Sequence, residues 1–279
     1  MAKQKERKVE VLFKQLKEGV ENVYSSETWK ELLLFQSKMH DYSFNNMMLI
    51  YIQCPHATHV AGYDTWRKLG RQVMYGQTGI RIMAPHTYTV KDEKTGEEEK
   101  RTGYHQTSVF DISQTKGKDI PVITELKGDS KSLREFYEIA KSISRVPVSE
   151  EKVKGAVKGY YSVDGDYIVI KKGMATKQKC KTLIHEMAHS ILHRKEDGRR
   201  DEMSRNEREI EAEGTAFVVL SYFGFDTSEY SFPYVAGWNP GGETQAIQKA
   251  GDVIQKTSQK LIDEINAKRK NEKEEEEVA

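Results

Sequence analysis

Two histidines and a glutamate stand in the spacing His185-Glu186-Met187-Ala188-His189. Histidines four residues apart lie one helical turn apart on the same face, so both imidazoles can reach one ion. Cys180, Leu183, Ile184, Met187, Ala188, Ile191 and Leu192 recur at helical spacing around them and predict the helix that this geometry needs. Glu186 flanks the same face and can touch a water on the ion without being a ligand. Zinc lowers the pKa of such a water towards ~7, and a neighbouring carboxylate then takes its proton as it attacks a carbonyl. The motif therefore assigns His185 and His189 to the metal, Glu186 to general-base catalysis and Zn2+ as the cofactor.

A catalytic zinc needs a third protein ligand. A metzincin pattern would place Gly at 192 and His at 195, where this chain has Leu192 and Lys195. The next predicted helix offers Glu209-Ile210-Glu211-Ala212-Glu213. Glu209 and Glu213 share a face, so one can bind the metal while the other accepts a ring N–H of a ligand histidine. The polar stretch Arg194 to Arg205 suits the loop that returns the chain antiparallel. Local alternatives exist for these residues. Glu209 could complete a capping box with Asn206, as Glu207 could with Ser204. His193 reads as a structural or solvent-facing residue, with replacement of Glu209 as a ligand the competing role. The two motif histidines could also be ordinary, partly buried side chains.

The elements that must position these groups can be followed along the chain. Its 279 residues, 31% charged and 37% hydrophobic, suit two modest domains or one large one. The longest apolar run, Met47 to Ile52, is far shorter than a bilayer span, so no membrane partner is expected. No apolar segment follows the charged first residues, and the two cysteines, Cys54 and Cys180, form no CxxC pair. Both features point to the cytoplasm.

Helical periodicity covers Val9 to Val20 and Trp29 to Met39, with Ser25 or Ser26 as N-cap of the second. A third apolar segment, Phe44 to Cys54, stops at Pro55, and a short helix spans Asp64 to Leu69. Ile80 to Met83, Thr87 to Val90 and Tyr104 to Phe110 read as strands, with Lys91 to Arg101 as a hairpin tip. In the second half a helix near Leu133 to Ile143 precedes a hairpin, Gly159 to Val163 and Tyr167 to Ile170. Helices follow over Thr176 to His193, Arg205 to Phe223 and Thr244 to Ala267. The fold class is α+β in two domains.

The composition of the first half bears on a partner. Residues 1–85 hold twelve Lys/Arg and eight Asp/Glu, about +4. Between Pro55 and Pro85, Arg67, Lys68, Arg71 and Arg81 face a single Asp64 and interleave with Tyr63, Trp66 and Tyr75. Cations for phosphates beside rings that stack on bases are what a sequence-tolerant single-strand binder needs. On composition alone, a short helix with a buried aromatic face and solvated charges explains the same residues.

His185-Glu-Met-Ala-His189-Ser-Ile-Leu-His193, followed by Glu209-x-x-Ala212-Glu213-x-x-Ala216-Phe217, resembles the ImmA/IrrE-type zincin peptidase domain. The segment from Tyr222 to Trp238 resembles the version found in LtrC and ArdC-like proteins of plasmids and conjugative elements. This resemblance implies His185, His189 and Glu209 as metal ligands and Glu213 as their support. Tyr234 is a candidate oxyanion donor, with a core or interface tyrosine as the competing role. Tyr42-Ser43-Phe44-Asn45-Asn46, Ala57 through Val73, Gly79-Ile80 and Val109 through Thr115 resemble the ArdC-type single-stranded-DNA-binding domain. Asn45, Trp66, Arg67, Lys68 and Arg71 are the DNA-binding residues expected from it.

The expected organisation is thus a helical and antiparallel-sheet DNA-binding domain over 1–115, a linker over 116–130, a zincin-like metallopeptidase domain over 131–267 and a charged disordered tail over 268–279. The resemblance implies a zinc metallopeptidase fused to a single-stranded-DNA binder, with a mobile-element role such as antirestriction or protection of incoming DNA. Its partners would be single-stranded DNA and a protein substrate. The competing readings are a non-catalytic DNA binder whose zinc is structural, and a plain scaffold with neither activity.

Overall fold

The computed structural model describes residues 2–21, 23, 25–91, 98–120, 130–196, 198–228, 230 and 244–278. In chain order its elements are α1 (Ala2–Glu21), α2 (Ser26–Lys38), α3 (Phe44–Gln53), β1 (Val60–Gly62), α4 (Tyr63–Lys68), β2 (Arg71–Val73), β3 (Ile80–Lys91) and β4 (Glu98–Asp111). A 3₁₀ turn, Ile112–Gln114, leads to β5 (Thr115–Gly117), α5 (Ser130–Ser142), β6 (Val148–Glu151), β7 (Gly159–Ser162), β8 (Tyr167–Lys171), α6 (Thr176–Leu192), α7 (Arg205–Tyr222) and α8 (Thr244–Val278). The mixed helix and sheet content agrees with the expected α+β class.

The chain packs as two compact units, Met1–Val23 with Tyr42–Pro121, and Tyr24–Asp41 with Val122–Ala279. This differs from the contiguous division at 115, because α2 belongs to the second unit and packs on α7. Ser25 caps α2 through its hydroxyl, which accepts from the Thr28 amide at 3.1 Å. Trp29, Leu32 and Leu33 are fully buried on its inner face. An amphipathic stripe says that a helix has a buried side, not which helix covers it.

In the first unit, β3 and β4 form a long antiparallel ribbon, and β1 adds to the other edge of β4. The strands expected at Ile80 to Met83 and Thr87 to Val90 are one strand, continuous through Pro85. The reason lies in hydrogen-bond parity. Gln53 bonds the amide and carbonyl of Arg81, and Asn46 bonds those of Met83, so these odd-numbered groups point away from β4. Pro85 shares their parity, and its missing N–H falls on the open edge, where it breaks no ladder bond. Phe44, Met47 and Ile50 of α3, with Leu12 and Leu16 of α1, are buried in this unit.

Asp111 closes this unit. Its carboxylate accepts from the amides of Thr58 (2.8 Å), His59 (3.2 Å) and Ser113 (2.9 Å) and from the Ser113 hydroxyl (2.6 Å). Burial pushes its pKa up, but these hydrogen bonds outweigh it and hold the group below the usual carboxylate value. Asp111→Ala would strand several buried donors and is expected to lower the stability of this unit by about 2–4 kcal/mol at pH 7. Because the folded pKa is the lower one, this contribution is present above the unfolded value of about 4 and is lost as pH falls through the folded value. Urea midpoints of parent and variant at pH 7 and pH 3 check it: the gap should narrow at the lower pH.

In the second unit β8 is central, with β7 antiparallel on one side and β6 parallel on the other. β7 and β8 match the expected hairpin. Val148–Glu151 carries no apolar alternation, and no strand was expected there. Ile168 and Ile170 of β8 face Leu183, Ile184 and Met187 of α6 in one core with Val219 and Leu220 of α7 and Leu261, Ile262 and Ile265 of α8. α8 continues to Val278, so the segment expected as a disordered tail over 268–279 is helical as far as it is described. Lys268 with Glu272 and Lys270 with Glu274 pair one turn apart, and extending an existing helix avoids a new nucleation step. No helix among the described residues is long and apolar enough to cross a membrane. Of the expected hairpin tip over Lys91 to Arg101, Lys91 belongs to β3 and Glu98 to Arg101 to β4, and of the expected linker Lys116 and Gly117 belong to β5; residues 92–97 and 121–129 lie outside the described residues.

Candidate metal centre and active site

α6 brings His185 and His189 to one side, and α7 returns to present Glu209. The Nε2 atoms of His185 and His189 are 3.2 Å apart, and a Glu209 carboxylate oxygen lies 3.6 Å from the first and 3.7 Å from the second. These three donor atoms all fall within 4.8 Å of one another. Tetrahedral zinc with bonds of ~2.0–2.1 Å holds its ligand atoms about 3.4 Å apart, so the triangle has the size that such an ion requires. Two imidazole lone pairs and a carboxylate oxygen aimed at one point repel each other unless a cation lies between them. The donor set therefore fits a divalent metal.

Glu213, one turn after Glu209, places an oxygen 2.9 Å from Nδ1 of His185. That buried nitrogen is off the line of an ideal hydrogen bond, so the contact is an ion-pair approach. Glu209 is available because the capping box at the start of α7 uses other residues. The Ser204 hydroxyl accepts from the Glu207 amide, and Glu207 accepts from the Ser204 amide.

Glu186 is held by a strand. Its carboxylate accepts from the Tyr161 amide of β7 at 2.8 Å. β7 approaches α6 this closely because position 159 is glycine; a Cβ there would lie 2.6 Å from Thr182 and 2.8 Å from the Val169 carbonyl. One Glu186 oxygen is thereby fixed and the other is left for a reactant. An open cleft of ≈ 470 Å³ borders the group, with Lys158, Gly159, Lys181, Glu213 and Tyr230 among its lining.

The charges in the site interlock. Burial pulls the pKa of His185 down, but the close approach of the Glu209 and Glu213 carboxylates and the field of Glu186 outweigh it and raise it to about 10. His189 is lowered to about 4 by burial, against the pull of Glu209, with His185 adding to the depression. The close contacts with His185 and then His189 hold Glu209 far below the carboxylate range despite burial. Glu186 is raised, chiefly by burial. The arrangement holds one positive charge where the donors converge, and a metal ion supplies more of it than a proton does.

His193 departs from its expected solvent-facing alternative. It is fully buried, its Nδ1 lies 2.9 Å from Nδ1 of His189, and its Nε2 lies 3.2 Å from Glu211. It faces away from the donor triangle and so does not replace Glu209. Arg199 bonds the other oxygen of Glu211. Sequence reading missed Glu211 and Arg199; the only local signal was three glutamates at alternate positions. Tyr230 was missed as well. Its phenol is kept protonated by burial and by the charge of Glu213. Tyr234 lies outside the described residues.

The residues expected to bind DNA are placed unevenly. Trp66 is 1% exposed and donates from Nε1 to the Phe110 carbonyl at 2.9 Å. It is a core residue and offers no face to a base, which corrects its expected role. Arg71 ties β2 to β5 and the residue beyond, bonding Thr115 through Nε at 2.8 Å and the Lys118 carbonyl through Nη1. Arg67 and Lys68 are exposed on α4, as are Tyr63 and, in the following loop, Tyr75. Asn45 is half-buried at the start of α3. A groove of ≈ 390 Å³ in the same unit is lined by Lys8, Gln15, Gln53, Arg81 and Gln106 with no carboxylate.

Fold and site together define a two-part protein: an antiparallel-sheet unit and a metallopeptidase-like domain with an HExxH helix. Residues 2–115 match the family model for the N-terminal domain of anti-restriction factor ArdC, and residues 144–235 match that for the IrrE N-terminal-like domain. The chain thus joins a segment similar to the ArdC N-terminal domain to a segment similar to the IrrE-type domain. It is 28% identical over 308 aligned residues to an uncharacterized protein of Bacillus anthracis, covering 95% of this chain and 52% of that one. The chain thus spans about half the length of this curated relative. The crystal structure of the metal-free antirestriction ArdC protein from the R388 plasmid aligns with a TM-score of 0.53 and 23% identity, over 81% of this chain and 85% of that one. The Mn(II)-bound structure of the same protein aligns with a TM-score of 0.48 and 19% identity, over 81% and 88%.

Proposed function

We propose that this chain is a zinc-dependent peptidase joined to a single-stranded-DNA-binding domain, acting on a protein substrate in the biology of mobile elements. The observation that carries this reading is the convergence of His185, His189 and Glu209 within 4.8 Å, with Glu186 held beside them. Zinc held by these three side chains would polarise both a water molecule and the scissile carbonyl. Glu186 would serve as the general base, accepting a proton from the attacking water and returning it to the departing amine. Glu213 orients His185, and Tyr230 and Tyr234 are candidate donors to the developing oxyanion. The cleft beside Glu186 would take an extended peptide. The free, buried thiols of Cys54 and Cys180 agree with a cytoplasmic setting.

Metal content of the purified chain, measured for zinc and manganese together with hydrolysis of an unfolded protein substrate, tests the reading. One equivalent of metal and a chelator-sensitive activity are expected. Absence of stoichiometric metal would remove the peptidase reading and leave the DNA-binding unit to stand or fall on its own test.

For the first unit we place the DNA contact on Tyr63, Arg67, Lys68 and Tyr75 and on the basic groove with Lys8 and Arg81. Binding to a single-stranded oligonucleotide should be tightest at low salt and weaken linearly with log salt. Tyr75→Ala removes a fully exposed ring and is expected to weaken binding by about 5- to 100-fold, the loss of one stacked base. Trp66→Phe should instead lower stability and leave the affinity of the folded protein unchanged. Fluorescence anisotropy at 25 and 200 mM salt separates these outcomes.

A further inference from the structure

We propose that His193, Glu211 and Arg199 form a buried positioning chain that holds His189 in the one tautomer able to take a metal. This rests on the metal-centre reading above and concerns residues that touch no ligand themselves.

The proton arrangement follows from connectivity. Nε2 of His189 belongs to the donor triangle, 3.2 Å from Nε2 of His185 and 3.7 Å from Glu209. To bind metal there it must present its lone pair, which puts the ring proton on Nδ1. Nδ1 lies 2.9 Å from Nδ1 of His193, a contact that needs one donor and one acceptor. His193 therefore accepts at Nδ1 and carries its own proton on Nε2. That nitrogen faces Glu211 at 3.2 Å, and an ionised carboxylate only accepts. The second Glu211 oxygen is taken by Arg199. The direction of the chain is set by the carboxylate, which accepts from Arg199 at one oxygen and from His193 at the other.

Burial makes the chain binding on the ring. His193 is 0% and Glu211 3% exposed, so no water offers either group a substitute partner. The opposite tautomer of His189 would set two acceptor nitrogens against each other and cover the metal-facing nitrogen with a proton. The two ligand histidines are thus supported differently. His185 meets a carboxylate directly at Glu213, whereas His189 reaches one through a second imidazole.

The test uses the full chain and three variants. His193→Phe fills the space without an acceptor. His193→Gln restores one, since its amide oxygen can accept from His189 while its NH₂ donates to Glu211. Glu211→Gln weakens the far end. Zinc dissociation constants are measured by chelator competition, with the thermal midpoint of the metal-free protein alongside. Nitrogen-15 spectra of the metal-free chain report the tautomer of His189. The parent is expected to carry the His189 proton on Nδ1. His193→Phe and Glu211→Gln should weaken zinc by about 10- to 100-fold, and His193→Gln should stay within about threefold of the parent.

A merely structural role would lower the midpoint of the metal-free protein and leave zinc affinity of the folded fraction unchanged, which overturns the proposal. Equal losses in His193→Phe and His193→Gln overturn it too. If His193→Phe does not fold, parent-like zinc affinity in Glu211→Gln has the same force. If the parent binds no zinc, the metal-centre reading fails by itself. The His189 tautomer in the metal-free parent then decides the chain, and a proton on Nε2 rejects it.

Discussion

Glu186→Gln is expected to keep its metal and its fold while peptide hydrolysis drops by about a hundred- to ten-thousand-fold, the range that a positioned general base contributes. The geometry makes this substitution selective. The glutamine carbonyl can still accept from the Tyr161 amide that holds Glu186 at 2.8 Å. The donor triangle of His185, His189 and Glu209 is untouched. Burial raises the pKa of Glu186, so the ionised carboxylate is an unfavourable tenant of its pocket, and a neutral amide should leave the thermal midpoint equal or higher. What the amide cannot do is take a proton from water. The measurement is metal stoichiometry, thermal midpoint and turnover of an unfolded protein substrate on the same preparation. Unchanged turnover, or an unchanged cellular phenotype, would remove the enzyme reading and leave a DNA-binding protein with a structural metal.

The second large effect separates the two acidic residues of α7. Glu209→Ala is expected to weaken zinc by about fifty- to a thousand-fold, because the ~10–16 kcal/mol of a four-ligand structural zinc makes one ligand worth ~2.5–4 kcal/mol. Glu213→Ala should cost less, about 10- to 100-fold, as for a residue that orients a ligand. Glu209 lies within reach of both ring nitrogens, at 3.6 and 3.7 Å, whereas Glu213 lies 2.9 Å from the far nitrogen of His185. Parallel zinc titrations of the two variants check the order. A larger loss in Glu213→Ala would exchange their roles and require the helix to rotate when metal binds.

Several parts of this site could be read before any fold was known, and their common feature is that they are local. The i,i+4 spacing of His185 and His189, the apolar stripe behind them and the Glu209/Glu213 pair each lie within a few turns of one helix. Helical geometry alone puts such residues on one face. The polar span between the two helices is long enough for an antiparallel return, so convergence on one ion followed from spacing together with the family resemblance. The β7–β8 hairpin was legible for the same reason.

What the tertiary structure decided is which distant surface covers each face. Trp66 has an aromatic ring among cations; composition alone allowed a core residue, and the family resemblance made it a stacking platform; packing against the β4 region buried it. α2 has an ordinary amphipathic stripe, and only the folded chain shows that α7 covers it and not its sequence neighbours. His193 and Glu211 are 18 residues apart and meet through a buried contact that no periodicity encodes. A side chain's neighbours along a helix are written into the chain by geometry. Its partners across the core depend on the free energy of the whole packed unit, and at those positions the residue type alone did not say whether a group would bind, position or simply fill space.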